Sequence, residues 1–356
     1  MADANGDGRP DIVTPWEEGG VIRICFNPGP AAANEPWPAV EAGRVKSPED
    51  AVLVDLDSDG AMDVISSTEG DDQSLYVHWA PSAPEQYTNP EAWRTEPIPA
   101  SQGMTRWMFC VPLQIDGKNG TDLAAASKEP KARAGWFAAP KDPRDLAAWT
   151  YHHLWEASWV MSLLTADMDR DGDADLLISD RKDPKCRGVL WFENPGAAKA
   201  HTTWEHHYLG ACTHETMFLA LGKLGDSGQR TILAATRDNG IVTLQETQQT
   251  ADFDECGIPL PPQTGTGKAV AIVDLDLDGR KDIILTCENA RGKHGVLWRT
   301  TNAEGRTAWR TVSGLEGTKF DLVVAYDVDE DGDPDLITCE EKENLGVIWY
   351  ENPAKP

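Results

Sequence analysis

The stretch from Asp327 to Ile337, DVDEDGDPDLI, carries acids at its first, third and fifth positions, a glycine at the sixth and an aspartate at the ninth. Carboxylates at alternate positions, a glycine for a sharp turn and a late closing acid suit a hard cation that takes many oxygen ligands, and calcium is the default occupant. Leu336 and Ile337 then open an apolar strand, where a helix-loop-helix site would continue as a helix. The string occurs five times: Asp3, Asn5, Asp7 and Asp11; Asp55, Asp57, Asp59 and Asp63; Asp167, Asp169, Asp171 and Asp175; Asp274, Asp276, Asp278 and Asp282; and Asp327, Asp329, Asp331 and Asp335. Two further stretches keep the pattern and lose the ligands. In QIDGKNGTDL, Asp116 and Asp122 survive, and Lys118 brings an ammonium to the fifth position, where it can replace a cation. KLGDSGQRTIL, from Lys223 to Leu233, has no ligand set. The expectation is Ca2+ at five loops.

The seven closing positions, 11, 63, 122, 175, 231, 282 and 335, lie about 50 to 60 residues apart, the spacing of four-stranded propeller blades. Each unit reads as an apolar strand, the loop, a second strand, a third strand opening on glycine with an aromatic inside, and a fourth strand marked by tryptophan. Ala269–Val273, GVLWFENP from Gly188 and GVIWYENP from Gly346 are examples, and Trp37, Trp93, Trp149, Trp204 and Trp309 are the markers. Alternating and β-branched apolar residues, punctuated by Gly, Pro and Asn, indicate strands throughout. The stretch from Gln245 to Pro262 has the weakest strand pattern. The predicted fold is an all-β, seven-bladed β-propeller of four-stranded antiparallel blades, one domain over residues 1–356. Its units run approximately 1–45, 46–99, 100–154, 155–210, 211–262, 263–313 and 314–356. The first and last blades are incomplete, since the first unit opens inside its loop and the last stops after its third strand. A closed ring buries such edges, so the expectation is a reading of a longer protein or an incomplete closure.

A net charge of -27 makes nucleic acid and anionic membrane surfaces poor partners. No stretch is apolar enough to span a bilayer, and no signal peptide is evident. The seven cysteines, at 25, 110, 186, 212, 256, 287 and 339, show no zinc-type pair and read as buried or partly paired thiols. The expected state is a monomer.

The D-x-[DN]-x-D-G-x-x-D loops, each followed by a β-branched strand, resemble the FG-GAP and VCBS repeats of integrin-alpha-like calcium-bearing propellers. The W-[FY]-E-N-P strands at Trp191–Pro195 and Trp349–Pro353 resemble secreted bacterial members in particular. The resemblance implies calcium at the five full loops and an extracytoplasmic location. It leaves function open, because that family spans lectin-like binders, adhesion modules and polysaccharide lyases.

By the same resemblance, a ligand funnel is expected at the end of the strands opposite the metal loops. Aligning the units puts Arg106, Trp107, Trp159, His214, Glu215, Lys268 and Lys319 there from fourth-to-first connections. Glu17, Glu69, Lys128, Arg181, Arg237, Glu288 and Glu340 come from second-to-third connections. Arginines and lysines gathered on an acidic chain suit an anionic ligand, although Arg181, Glu288 and Glu340 can equally pair across neighbouring blades. Trp107 and Trp159 lie outside the repeating tryptophan register and can stack on sugar rings. Met108, Met161 and Met217 read as packing. His214 is the funnel histidine and the candidate base for a lyase, with Arg106, Arg181 or Arg237 on the substrate carboxylate. The leading expectation is a calcium-stabilised module binding carbohydrate, an anionic glycan in particular, or a protein partner. The alternatives are a polysaccharide-active enzyme such as a lyase on an acidic glycan, and a structural or adhesion module of a larger secreted protein.

Overall fold

The computed structural model describes residues 1–182, 188–225, 228–238, 240–249 and 251–353. It is an all-β, seven-bladed β-propeller. Five sheets have four antiparallel strands, and the first and last have three. Among the described residues, helix is confined to six three-residue 3-10 turns, and no helix is long and apolar enough to cross a membrane. The chain divides into two compact units, Met1–Leu177 with Phe192–His206, and Ile178–Trp191 with His207–Pro356.

Blade 1 holds Ile12–Trp16, Val21–Cys25 and Ala39–Arg44, which pair in that order. In the four-stranded blades, sequence order is spatial order, as in blade 3 with Arg106–Leu113, Asp122–Lys128, Arg133–Ala138 and Thr150–Glu156. Blade 5 has a fourth strand, Phe253–Pro259, where the sequence pattern is weakest. That strand pairs through its backbone with Gly240–Glu246 and is largely exposed, so it needs no apolar alternation.

The core lies between sheets. Leu56, Ile65, Trp79, Trp107, Leu123, Phe137 and Trp149 form one cluster shared by blades 2 and 3. Leu275, Ile284, Phe320, Val323 and Leu336 form another shared by blades 6 and 7. Met108, Met161 and Met217 are all buried, in keeping with a packing role.

Polar contacts fix how adjacent sheets meet. The first strands bulge near their starts, between Trp107 and Phe109, Thr216 and Leu219, and Phe320 and Val323. A bulge leaves a carbonyl outside its own ladder. A hydroxyl from the second strand of the preceding blade donates to it: Ser67 to Met108 O at 3.0 Å, Ser179 to Met217 O at 2.7 Å and Thr286 to Asp321 O at 2.6 Å. The Thr286 hydroxyl also accepts from Ala269 N–H at 3.1 Å. Thr286→Val keeps the shape and leaves a buried carbonyl and a buried amide without this partner. It is expected to cost about 1 to 3 kcal/mol of stability by denaturant unfolding.

The fourth-strand tryptophans have a second role besides packing. Trp37, Trp93, Trp149 and Trp204 donate their indole N–H to Ala33, Tyr87, Pro143 and Ala200 carbonyls at 2.9–3.1 Å. Each bond closes the connection between third and fourth strands. Trp309 sits inside the fourth strand of blade 6 instead. The six described cysteines are free thiols, and Cys186 lies outside the described residues.

Candidate functional site

Each acidic loop is wound by its own carboxylates. In the last loop, Asp327 accepts from Asp331 N–H at 3.1 Å and Gly332 N–H at 2.9 Å, and Asp331 accepts from Asp333 N–H at 3.1 Å. Gly332 has φ 96°, a left-handed value that a side chain resists, which is why glycine stands there. The loops at Asp55 and Asp167 repeat these bonds.

The ninth-position aspartate is buried and uses both oxygens. Asp335 accepts from Val328 N–H at 2.9 Å within the loop and from Asn352 N–H at 2.7 Å at the end of the third strand. Asp175 does the same with Met168 and Asn194, both at 2.7 Å. The E-N-P motif follows from this contact. The Asn194 side chain donates to Ala174 O at 3.2 Å and accepts from Gly196 N–H at 3.1 Å, so the asparagine locks the strand end to the loop. In blades 2 and 3, Ala80 and Ala139 give the backbone N–H alone, at 2.8 Å. Burial pushes the Asp63 carboxyl up to about 7 and raises Asp335 as well. A divalent ion beside these groups acts in the opposite direction.

Four loops bring three carboxylates together, with ligand atoms within 4.8 Å of one another: Asp55, Asp57 and Asp63; Asp167, Asp169 and Asp175; Asp274, Asp276 and Asp282; Asp327, Asp329 and Asp335. The donor set is all oxygen. Two of its buried atoms, Asp274 Oδ1 and Asp329 Oδ1, have no hydrogen-bond partner among the described residues. Buried carboxylate oxygens without donors are costly unless a cation meets them, so these residues fit a hard divalent ion.

An FG-GAP-like repeat model matches residues 3–66 and 274–338, which cover the first two acidic loops and the last two. The chain carries FG-GAP repeats. No curated protein matches it by sequence. Solved structures share the fold at low identity. A putative 6-phosphogluconolactonase from Bacteroides fragilis is 11% identical, with TM-score 0.57 over 95% of this chain and 89% of that one. The BP39L lectin from Burkholderia pseudomallei is 13% identical, with TM-score 0.56 over 99% and 96%. The periplasmic gluconolactonase PpgL from Pseudomonas aeruginosa is 10% identical, with TM-score 0.53 over 96% and 99%.

The acidic loops differ from one another in what their side chains meet. The fifth-position acids Asp59, Asp171, Asp278 and Asp331 lie outside the four triads and accept N–H bonds within the loop instead. The first loop, Asp3, Asn5, Asp7 and Asp11, forms no such triad of acids; Arg9 pairs with Asp7 at 2.8 Å, and Asn5 supplies an amide in place of a carboxylate. In the third loop, Asp116 meets His201 Nε2 at 2.9 Å as well as Lys118 at 3.5 Å, and Gln114 donates to the Lys118 carbonyl at 3.2 Å. Side chains thus occupy the positions where other loops gather carboxylates. Residues 226–227 of the fifth loop lie outside the described residues.

The second FG-GAP loop has a cation that sequence spacing does not reveal. Arg144, from the third-to-fourth connection of blade 3, sets Nε against Asp57 and Nη2 3.5 Å from Asp59, with its guanidinium 4.5 Å above the Trp79 ring. A metal ion at Asp57 must displace or tolerate this charge. Arg144→Gln is therefore expected to tighten binding at this loop by about fivefold, roughly 1 kcal/mol of repulsion removed. Calcium titration against a chelating dye reads the change.

At the opposite strand ends, the funnel cations are engaged with acids. Lys128, buried, contacts Glu49 and Glu69 at 2.6 Å each, and Glu17 joins these acids within 4.8 Å. Burial pushes Glu49 up to about 7. In the other unit, Arg181 contacts Glu215 at 3.0 Å, and Arg237 links Glu215 at 3.4 Å to Glu288 at 2.8 Å. Lys268 meets Asp321 at 3.2 Å, and Lys319 pairs with Glu341. Against the burial that raises it, N–H donors from Thr318, Lys319, Lys342 and Glu343 hold the Glu340 carboxyl below its ordinary value, so Glu340 caps its own turn. These contacts match the inter-blade pairing expected for Arg181 and Glu288. Of their acidic partners, Glu69, Glu215 and Glu288 stand among the aligned positions, and Glu49, Asp321 and Glu341 fall outside them.

Two of the candidate tryptophans part company. Trp107 has 0% exposure, packs edge-on against Phe137 and Tyr151, and donates to Ser101 O at 3.1 Å. It is core and offers no face to a sugar. Trp159 is half-buried, bridges to Lys128, and carries its ammonium 5.3 Å from the ring centroid. Arg106 lies opposite Lys128 in the strand register, is exposed, and has no partner among the described residues. His214 Nδ1 lies 2.8 Å from Asp238 Oδ2, both side chains partly exposed.

Proposed function

We propose that this chain is a calcium-stabilised binding module for carbohydrate, an anionic glycan in particular. The observation that carries the stabilising part is the set of four aspartate triads, two of which, at Asp274 and Asp327, hold buried oxygens without donors. Asp55, Asp57 and Asp63, and their counterparts at Asp167, Asp274 and Asp327, would hold the ions. Calcium there neutralises clustered acids and ties the first strand of a blade to its second. Such loops suit the millimolar calcium outside the cytoplasm, and an extracytoplasmic monomer is the matching setting.

The ligand reading rests on the compact unit that contains Met1–Leu177. Arg106, Lys128 and Trp159 sit side by side there, with an unpaired guanidinium close in register to a half-exposed indole. A ring for stacking next to a free cation suits a carboxylated or sulfated sugar. One structural neighbour of the same fold is named a lectin, which supports a carbohydrate reading. Glycan arrays followed by tryptophan quenching test the reading. Trp159→Ala is expected to weaken binding by about 3- to 10-fold, and Arg106→Ala to reduce the preference for acidic over neutral glycans. Binding to no saccharide on the array would remove the glycan reading and leave a protein ligand as the form of the module.

A second reading is favoured by His214. Its Nδ1 contact with Asp238 fixes the ring and leaves Nε2 as a candidate base. A lyase on a polyuronate needs that base and a cation on the substrate carboxylate. Release of unsaturated uronate products, lost in His214→Ala, would support it; equal activity in the variant would sink the assignment.

A further inference from the structure

The fifth loop reverses the charge of its neighbours. Counted back from its closing position at Thr231, it has Lys223 first and Gly225 third, where the five full acidic strings have an aspartate first and an aspartate or asparagine third. Gly225 has φ 76°, and a Cβ there would meet nothing within 4 Å, so the place of the absent carboxylate is open. The sixth loop adds cations of its own. Its seventh and eighth positions are Arg280 and Lys281, and no other full string has two basic residues there.

A cavity of about 320 Å³ lies between these loops, within the unit of Ile178–Trp191 and His207–Pro356. Leu221 and Ile272, from the first strands of blades 5 and 6, line it together with Lys223, Gly225, Arg280 and Lys281. Its volume is near the lower bound of small-molecule sites and leaves room for a single sugar ring.

Charge decides what fits. Arg280 is held in place, with Nε donating to Thr301 O at 3.2 Å and Nη2 standing 3.3 Å from Asp278 Oδ2. Lys223 and Lys281 are exposed and have no ion-pair partner among the described residues. Arg230 lies directly opposite Lys223 in the ladder, and like charges so placed cost stability unless an anion meets them. Asp278 offsets the guanidinium and leaves the two lysine charges unmatched, on a chain of net charge -27. A carboxylate or a sulfate ester brings about one negative charge, and a phosphate monoester brings about two.

We propose that this cavity binds a phosphate monoester carried on a sugar-sized group. Lys223 and Lys281 meet the phosphate oxygens as point charges, and the tethered Arg280 adds a fixed guanidinium. Leu221 and Ile272 cover the apolar face of the ring. The site goes beyond the glycan reading of Arg106, Lys128 and Trp159, which belong to the other compact unit.

Calorimetric titration of the full chain with glucose 6-phosphate tests it. Saturable binding is expected, with none for glucose, and with inorganic phosphate weaker by about fivefold for want of the apolar contact. Lys223→Gln combined with Lys281→Gln is expected to weaken binding by about 20-fold. Lys223→Arg is expected to keep it within about twofold, since it retains the point charge. Both lysines are exposed, and the melting temperature shows that the variants fold. Binding is expected to persist in chelator, at a temperature where the protein is still folded, because the cations belong to the chain. No binding of glucose 6-phosphate, or equal affinity in the double variant, would overturn the proposal. Binding lost on chelation would also overturn it, by assigning the phosphate to an ion in the acidic loops. Inorganic phosphate binding as tightly as the ester would overturn the sugar-sized ligand.

Discussion

Chelating the divalent ions from metal-loaded protein is expected to lower its melting temperature by about 10 to 20 °C. An ion that binds the folded chain alone stabilises it by mass action, about 2.7 kcal/mol per site when free ion stands at about a hundred times the dissociation constant. Four triads with converging oxygens are available. For a chain of this size, about 1 to 2 °C accompanies each kcal/mol, extrapolating from smaller domains. The fall should reverse on adding calcium and be much smaller with magnesium, which demands tighter octahedral geometry. Protein shown to contain metal at the start, and melting at the same temperature after its removal, would rule out a stabilising role for these loops.

Asp122→Ala is expected to destabilise the chain by about 3 to 5 kcal/mol, and by the same amount with or without chelator. Asp122 closes the third loop, where Lys118 and His201 stand at Asp116. It is fully buried and accepts from Ile115, Asp116 and Ala139 N–H groups at 2.8, 3.2 and 2.8 Å. An alanine leaves these amides without their acceptor. Asp329→Ala makes the contrast. Its third-position oxygen faces the triad, so its cost should be large with calcium and small in chelator. If Asp122→Ala were tolerated, the ninth-position acids would be metal ligands first and structural only through the ion.

The difference between these two aspartates was half visible in the sequence. Positions one, three and nine of each string become one cluster because the loop is short and wound by its own bonds, so spacing translates directly into proximity. The ninth position reads as a ligand from spacing alone. Its other role appears only when the end of the third strand, 16 to 19 residues away in Asn27, Ala80 and Asn194, is folded against it. Arg144 and His201 were out of reach for a similar reason. They lie 87 and 85 residues from Asp57 and Asp116, in connections whose length varies between units, so no fixed offset points to them. Trp107 and Trp159 both stand at the start of a first strand, one and two residues before Met108 and Met161, and differ in surroundings. Phe137 and Tyr151 enclose the first, and no repeat alignment encodes that. The funnel cations were read from the repeat alignment, and the acids they meet in space decide how much charge is left for a ligand.

The contacts of Arg144 and His201 bear on how this molecule can be cut and rejoined. In each case a blade's acidic loop is completed by the connection of the blade that follows. A single repeat transplanted into another propeller would carry its aspartates and leave behind the base that balances them. The portable segment is a consecutive pair, and duplications or chimaeras that respect pairs should fold where those built from single repeats do not.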